Sequence, residues 1–357
     1  MRVEKLRVQS LRCLDDVSLE LAPGINVFVG ANGAGKTSLL EAVFLLSHGR
    51  SFRAGARDAL LQRGAGALAV YAELLRSDGR RPRLGLGREG ARWQARVDGE
   101  NAPISQLVGE CAVVSFDPGS HALIAAGAEE RRRFLDWGVF HVEPNFLGTW
   151  RRYQRALKQR NSLLRSGEGD SGLYRPWEQE LDDTAAAITR WRESYLDELL
   201  RLVSSYAAQL LPELGAVALR YRQGWGEEAS LRESLATQRH RDMARGHTTQ
   251  GVHRADWAIA YEHAPLREHL SRGQEKLTAV ACLLAQAELF AHHAGEWPIV
   301  CIDDLASELD QLHQQALIAQ LRDASAQVLI SGTDCPVSLR TAAHLFHVEQ
   351  GRVAPLL

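Results

Sequence analysis

Eight consecutive residues, Gly30-Ala31-Asn32-Gly33-Ala34-Gly35-Lys36-Thr37, constrain the fold of this chain more than any other feature. They fit the pattern G-x-x-x-x-G-K-[ST], and they stand between an apolar strand-like segment, residues 26–29, and an apolar helix-like segment, residues 38–46. A strand, a glycine-rich turn and a helix together form a phosphate-binding loop, because the turn exposes backbone N–H groups at a helix N-terminus. The sequence therefore predicts an α/β nucleotide-binding core.

Lys36 and Thr37 are expected to carry the chemistry of this loop. In loops of this kind the lysine reaches the β- and γ-phosphates and the threonine hydroxyl binds Mg²⁺. Lysine is rare here, since the 42 Lys and Arg residues include four lysines and hence 38 arginines (42 − 4). A lysine kept in this loop is significant because the planar group of arginine would not fit. The predicted nucleotide-binding residues of the loop are Gly30, Asn32, Gly33, Gly35, Lys36, Thr37 and Ser38.

A pair of acids follows a second apolar segment. Residues 299–302 read as a buried strand, and Asp303-Asp304 come directly after it. Ligands of open parallel sheets bind outside the carboxyl ends of the strands, so these acids are expected near the phosphate loop. The sequence predicts that Asp303 contributes to the Mg²⁺ site and that Asp304 polarises the attacking water, which makes both predicted catalytic residues.

The rest of the chain predicts an α/β protein with a helical insertion. Residues 68–116 look β-rich, with hairpin signals at Asp78-Gly79 and Asp98-Gly99. From residue 129 to about residue 211 the pattern is helical, and the last helix of this stretch is predicted to begin at Trp177. The predicted domains are residues 1–125, the N-terminal part of an ATPase head with a β-rich lobe; residues 126–250, an inserted helical domain; and residues 251–357, the C-terminal part of the head.

Composition excludes several classes of protein. The net charge of −2, with 45% hydrophobic and 24% charged residues, is ordinary for a soluble globular chain and excludes collagen-like or wholly disordered proteins. No run of 18 apolar residues is present and the first residues lack a signal peptide, so no membrane span is expected. The five cysteines are scattered, which argues against disulfides or a structural zinc site. A reduced, cytoplasmic protein is predicted.

The chain contains a strongly basic segment although its net charge is close to zero. Residues 131–165 contain nine Lys and Arg residues and two acids, a net charge of +7 (9 − 2). Three of these cations fall at i, i+4 and i+7, which places them on one helical stripe that could neutralise DNA phosphates. Three alternatives remain open: an ordinary solvated face, pairing with the acidic stretch 177–198, and pairing of Arg131–Arg133 with acids inside the head. Residues 239–254 are a second basic candidate. The predicted DNA-binding residues are Arg131, Arg132, Arg151, Arg155 and Lys158.

Two further segments resemble ABC-type ATPases. Leu270-Ser271-Arg272-Gly273-Gln274-Glu275-Lys276 resembles their signature motif, and Leu305-Ala306-Ser307-Glu308-Leu309-Asp310 resembles their D-loop. In such families signature residues contact the γ-phosphate of ATP held by a second subunit, so that ATP joins a dimer. The resemblance implies that Ser271, Gly273 and Gln274 bind nucleotide across a homodimer.

Blocks along nearly the whole chain resemble the bacterial RecF family. These blocks are residues 33–42, 49–53, 116–118, 129–136, 251–256 and 303–310. The resemblance implies an ATP- and Mg²⁺-dependent homodimer that binds duplex and gapped DNA, works with RecR and RecO, and promotes RecA loading at gaps covered by single-strand-binding protein. It also implies roles in replication restart and the SOS response, and a weak, DNA-stimulated ATPase.

Some residues depart from these patterns. Phe116-Asp117-Pro118-Gly119-Ser120 replaces the family's Phe-Ser-Pro-Glu-Asp, and Asp304 is shorter than the glutamate usual in ABC heads, which predicts slow turnover. Strand 328–331 lacks the following switch histidine of transporter-type enzymes. Two alternatives remain: an ABC-type ATPase coupled to a protein or membrane partner, and a scaffold with a vestigial site, against which the intact Lys36, Thr37 and Asp303 argue.

Overall fold

The computed structural model describes residues 1–53, 60–305, 310–336, 339–340 and 342–356, which belong to two compact units. The first unit is Met1–Ser120 with Gln286–Leu357, and the second is His121–Ala285. The chain therefore leaves the first unit close to the boundary predicted after residue 125. It returns at residue 286 rather than at residue 251, because the segment after residue 250 pairs with strands and side chains of the second unit.

The strands are β1 (Arg2–Leu11), β2 (Leu14–Glu20), β3 (Ile25–Val29), β4 (Ala67–Leu75), β5 (Arg83–Glu89), β6 (Arg92–Val97), β7 (Glu100–Ala102), β8 (Val113–Phe116), β9 (Val217–Arg222), β10 (Asp256–Tyr261), β11 (Ile299–Ile302), β12 (Val328–Gly332), β13 (His344–Glu349) and β14 (Arg352–Leu356). The helices are α1 (Lys36–His48), α2 (Ile104–Glu110), α3 (Ala122–Ala125), α4 (Ala128–Val142), α5 (Phe146–Arg165), α6 (Ser171–Leu210), α7 (Leu231–Arg245), α8 (Arg272–Ala294) and α9 (Gln311–Asp323).

An antiparallel sheet forms one layer of the first unit. Its strand order is β2-β1-β4-β5-β6-β7, and the central strands β4 and β5 bury alternate residues, as expected for a sheet with one face on a core. The predicted turn at Asp98-Gly99 joins β6 to β7 with both residues at positive φ, +52° and +89°. Helix α1 packs against this sheet and is buried on almost every side, mainly through the apolar residues between Leu39 and Leu46, with Glu41 buried among them.

A second sheet, with order β14-β13-β3-β12-β11-β8, covers the other side of α1. Its five strands from β13 to β8 are parallel. Strands β11 and β12 are buried at every residue, which explains why residues 299–302 and 328–331 read as continuous apolar runs rather than alternating ones. The phosphate loop follows β3 and the acidic pair follows β11, with β12 between these two parallel strands. Both segments therefore begin at the same edge of the sheet.

The second unit is mainly helical, with a two-stranded ribbon of β9 and β10. Its longest helix, α6, begins at Ser171, six positions before the predicted start, because the side chain of Asp170 caps it by accepting the N–H of Gly172 at 2.8 Å. Pro176 lies inside this helix. Helices α5 and α6 form an antiparallel pair joined by a short loop. In the described part of the chain, no helix is both long and apolar enough to cross a membrane.

Candidate nucleotide-binding site

The glycines of the phosphate loop are required by their surroundings. Gly33 and Gly35 have φ values of +80° and +119°, where side chains are strained. A Cβ on Gly35 would also lie 2.9 Å from Leu14, and one on Gly30 would lie 2.1 Å from the carbonyl oxygen of Val348. The loop is therefore shaped by both local backbone conformation and close packing from β2 and β13, and it leads directly into the start of α1.

Lys36 folds back over this loop. Its Nζ donates hydrogen bonds to the carbonyl oxygens of Gly30, at 2.8 Å, and of Ala31, at 2.9 Å. Burial lowers the pKa of Lys36, and the charges of Asp304 and Asp303 act in the opposite direction. The ammonium group is thus held at the loop, with two carboxylates close enough to act on it. This arrangement suits an anion bound between the loop and the acids.

Thr37 and Asp303 meet as the sequence predicts. The Thr37 hydroxyl donates to Oδ1 of Asp303 at 2.7 Å, and the backbone N–H of Asp303 donates to the carbonyl oxygen of Phe116 at 2.7 Å. Asp303 is 6% exposed. A hydroxyl and a carboxylate are the oxygen ligands that Mg²⁺ accepts, and this ion binds through few protein groups together with phosphates and water. Among the described residues no cluster of three or more His, Cys, Asp or Glu side chains could hold a metal without such help.

Asp304 has an uncommon backbone. Its φ is +55°, a left-handed conformation that non-glycine residues seldom adopt. Its N–H lies 3.1 Å from both the carbonyl oxygen and the Oγ of Ser331, and the same Oγ donates to Oδ1 of Asp303. Ser331 is absent from the residues predicted for the site. The signal that could have found it is its place at the end of strand 328–331, which reaches the same sheet edge.

The signature residues lie in the second unit. Ser271 and Gln274 form a capping box at the start of α8: Ser271 N–H donates to Oε1 of Gln274 at 3.0 Å, and Gln274 N–H donates to Oγ of Ser271 at 3.3 Å. Ser271 and Gly273 are exposed. Their predicted contact with nucleotide remains a prediction. Of the predicted D-loop, residues 306–309 lie outside the described residues, and Asp310 caps α9 by accepting the N–H of His313 at 3.0 Å.

The arginines near the start of the basic segment are engaged within the second unit. Arg131 forms an ion pair with Asp256 at 2.7 Å and is 16% exposed. Arg132 donates to the carbonyl oxygen of Ala255 at 2.8 Å, and Arg133 pairs with acids one turn earlier on α4. These contacts support the alternative that Arg131 and Arg133 pair with acids of the protein, and they leave less of Arg131 and Arg132 for DNA.

Helix α5 divides its cations between two faces. Arg160 is completely buried, with Glu178 at 3.1 Å and Asp242 at 2.8 Å, and Arg152 pairs with Glu180 at 2.7 Å. Glu178 and Glu180 belong to the acidic stretch that the sequence offered as an alternative partner. The three residues of the predicted stripe, Arg151, Arg155 and Lys158, are all exposed.

His253 lies in the interior of the second unit. The hydroxyl of Tyr153 lies 2.7 Å from Nδ1 of His253, and Nε2 lies 3.2 Å from the carbonyl oxygen of Thr248. A carbonyl only accepts, so Nε2 carries the proton and Nδ1 accepts from Tyr153. Burial lowers the pKa of His253 to about 4. This residue is therefore a neutral structural histidine near neutral pH.

Comparison with known proteins gives consistent matches. Residues 2–352 match the family model described as RecF/RecN/SMC N terminal domain. The chain is 45% identical over 361 residues to the DNA replication and repair protein RecF of Stenotrophomonas maltophilia (strain R551-3), covering 99% of each. It is similar to a solved structure of the recombination mediator protein RecF-ATP in the RecFOR pathway, with a TM-score of 0.90 and 25% identity over 99% of this chain and 97% of the other. An Smc head bound to the C-winged helix domain of ScpA shares the fold at a TM-score of 0.61 and 16% identity, covering 100% of this chain and 98% of that one.

Proposed function

The chain belongs to the RecF family of SMC-type ATPases, and we propose from this membership that it is an ATP-dependent DNA-binding protein of recombinational repair. One observation carries the ATP-dependent part: Lys36 and Thr37 of the loop lie beside Asp303 at the end of β11, with a Thr37–Asp303 hydrogen bond of 2.7 Å. The similar RecF-ATP structure supports ATP as the nucleotide.

Each residue of the site has a role in this proposal. Loop N–H groups and the Lys36 ammonium group would bind the phosphates, and Thr37 and Asp303 would hold Mg²⁺. The ion would neutralise charge on the β- and γ-phosphates. Asp304, next to Asp303 and close enough to influence Lys36, orients or deprotonates the attacking water. Its short side chain supports slow hydrolysis.

A homodimer completes the proposed site. Ser271, Gly273 and Gln274 begin α8 with exposed N-terminal residues, and a helix N-terminus is suited to an anion. We place the γ-phosphate of ATP held by a second copy of the chain at these residues. ATP binding then joins two copies, and hydrolysis releases them.

The proposed DNA contacts lie on α5. The helix contains six Lys and Arg residues and no Asp or Glu, and Arg151, Arg155 and Lys158 lie on its exposed side. The end of α7 lies beside this helix. Three residues after α7 ends, the Thr248 N–H donates a hydrogen bond to Oδ1 of Asn161 on α5 at 2.8 Å. The end of α7 adds two exposed arginines, Arg241 and Arg245, from the second basic candidate segment. A surface of this charge fits the phosphate backbone of duplex DNA.

Within the cell we place this protein at single-strand gaps. Together with RecR and RecO it would help load RecA onto DNA covered by single-strand-binding protein, contribute to replication restart and the SOS response, and hydrolyse ATP weakly with stimulation by DNA. The names of the relatives, a DNA replication and repair protein and a recombination mediator of the RecFOR pathway, support this role.

A gel-shift experiment tests the proposal. Wild type and Lys36→Arg are titrated into duplex and gapped DNA, with and without ATP and Mg²⁺, at several salt concentrations. We expect wild type to bind only with ATP, with an affinity that falls steeply with salt, and the variant to lose the ATP effect. Absence of DNA binding by wild type at low salt would contradict the proposal and favour an ATPase coupled to a protein or membrane partner.

A further inference from the structure

Ser331 connects the two acids at the end of β11. Its hydroxyl donates to Oδ1 of Asp303 and accepts the N–H of Asp304 at 3.1 Å. A serine hydroxyl has one proton to donate and two lone pairs, so these bonds use both of its capacities. One buried hydroxyl, 1% exposed, thereby fixes the side chain of one residue and the peptide of the next.

The place of Ser331 in the sheet explains how it reaches both acids. Strand β12 lies between β3, which leads into the phosphate loop, and β11, which leads into the acids. Ile330 is level with Ile302 and Ser331 with Phe28, so Ser331 stands where all three strands end. The strand that carries Ser331 therefore lies between the strand that leads into the phosphate loop and the strand that leads into the acids.

The backbone of Asp304 needs such support. At a φ of +55° the residue adopts a conformation that persists only when its surroundings hold it. Two atoms of Ser331, the carbonyl oxygen and Oγ, accept the Asp304 N–H, each at 3.1 Å. On the other side, Oδ1 of Asp303 also accepts the Thr37 hydroxyl at 2.7 Å. The direction in which the Asp304 carboxylate points is thus tied to β12 and, through Asp303, to α1.

We propose that Ser331 is a positioning residue of the ATPase site, which orients the Asp304 carboxylate relative to Asp303 and the phosphate loop. Ser331 itself touches no reacting atom in this assignment. It acts by keeping the peptide of Asp304 in its left-handed conformation while holding Asp303 against Thr37. The inference rests on the proposed ATP hydrolysis at this site and does not depend on DNA binding.

Steady-state ATP hydrolysis by three variants tests this role. Ser331→Ala removes the hydroxyl and Ser331→Thr keeps it. Ser115→Ala is the matched control: Ser115 is buried on β8, on the other side of β11, and its hydroxyl has no hydrogen-bond partner among the described residues. Rates are corrected with Lys36→Arg as background, and the melting temperature of every variant is measured. Wild-type hydrolysis no faster than that background would contradict the proposed ATPase itself, which separates its failure from that of the role of Ser331.

We expect Ser331→Ala to lower kcat by about 10- to 100-fold with KM for ATP within about threefold of wild type, because small misplacements cost rate rather than binding. We expect kcat of Ser331→Thr to lie within about threefold of the wild-type value, and kcat of Ser115→Ala to equal it. A kcat of Ser331→Ala equal to that of Ser115→Ala would overturn the proposal. So would equal losses in the Ala and Thr variants, since the hydroxyl would then not be the group that acts.

Discussion

The Thr37 hydroxyl donates a hydrogen bond to Oδ1 of Asp303 across 266 positions of sequence, at a distance of 2.7 Å. Two motifs that are far apart in the chain thus meet at the proposed site for a nucleotide and its metal ion. Because both oxygens are proposed Mg²⁺ ligands, removing the negative charge of Asp303 is expected to weaken Mg²⁺ binding.

Asp303→Asn is expected to lower ATP hydrolysis by about 100-fold or more and to raise the Mg²⁺ concentration needed for half-maximal nucleotide binding, since an amide oxygen is a weaker ligand for a hard cation. The measurements are phosphate release and fluorescent-nucleotide binding across a Mg²⁺ titration. Asp15→Asn, at an exposed position of β2, is the charge-matched control. An unchanged Mg²⁺ requirement in Asp303→Asn would remove Asp303 from the metal site.

Ser271→Arg should preserve ATP binding and abolish ATP-dependent dimerisation, because a large cationic side chain would stand where the γ-phosphate of the second copy is expected. Sedimentation velocity with and without ATP measures the outcome. The substitution also removes a helix cap, so Ser230→Arg, which breaks the capping box of α7, is the matched control for lost capping. A stable ATP-dependent dimer of Ser271→Arg would contradict the sandwich arrangement.

Arg155→Glu combined with Lys158→Glu should weaken binding of duplex DNA at every salt concentration. If each cation neutralises one phosphate, the slope of log affinity against log salt should fall in magnitude by roughly 1.8, about 0.9 for each phosphate that is no longer neutralised. The same charge change on α6, in Arg190→Glu with Arg201→Glu, controls for net charge. Equal effects of the two double variants would show that α5 has no special part in DNA binding.

The neutral, mostly buried His253 is expected to make the folded protein less stable in acid. Its pKa is about 4 in the folded protein and near 6.5 when exposed, so between these values the unfolded chain binds more protons. The contribution of neutral His253 to the free energy of unfolding is fully present above pH 6.5. It declines as the pH falls towards 4, by an amount on the order of 3 kcal/mol.

The free energy of unfolding in urea, measured from pH 4 to pH 7, checks this prediction for His253. His253→Gln should be less stable at pH 7 and show a weaker pH dependence over this range. His240→Gln, at an exposed position on α7, should retain the dependence of wild type. An identical pH dependence in wild type and His253→Gln would contradict the assignment.

Arg160→Ala should destabilise the second unit by about 3–5 kcal/mol. It removes the cation that the buried carboxylates of Glu178 and Asp242 share, and among the described residues only Glu178 keeps a second ion pair, with Arg239. Arg152→Ala breaks an exposed pair on the same helix and should have little effect, since solvent screens that pair. Chemical denaturation followed by circular dichroism compares the two. Similar losses in both variants would refute the distinction between the buried and exposed pairs.

Local sequence patterns predicted much of the first unit. The phosphate loop could be recognised because its glycines, Lys36 and Thr37 are contiguous, and the strands at 299–302 and 328–331 because buried parallel strands are apolar throughout. The Asp98-Gly99 turn followed from the conformations these residues tolerate. The start of α6 was misplaced, since a single side-chain cap at Asp170 decides it.

The sequence by itself determined the phosphate loop, the acidic pair and the family, because these depend on residue types at fixed short spacings. Only the tertiary structure decided that Ser331 joins the acids, and that on one helix Arg160 is buried in an ion-pair network while Arg155 is exposed. The physical reason is that hydrogen bonding and burial depend on neighbours supplied by distant segments, and two arginines five positions apart carry the same chemistry until folding gives them different surroundings.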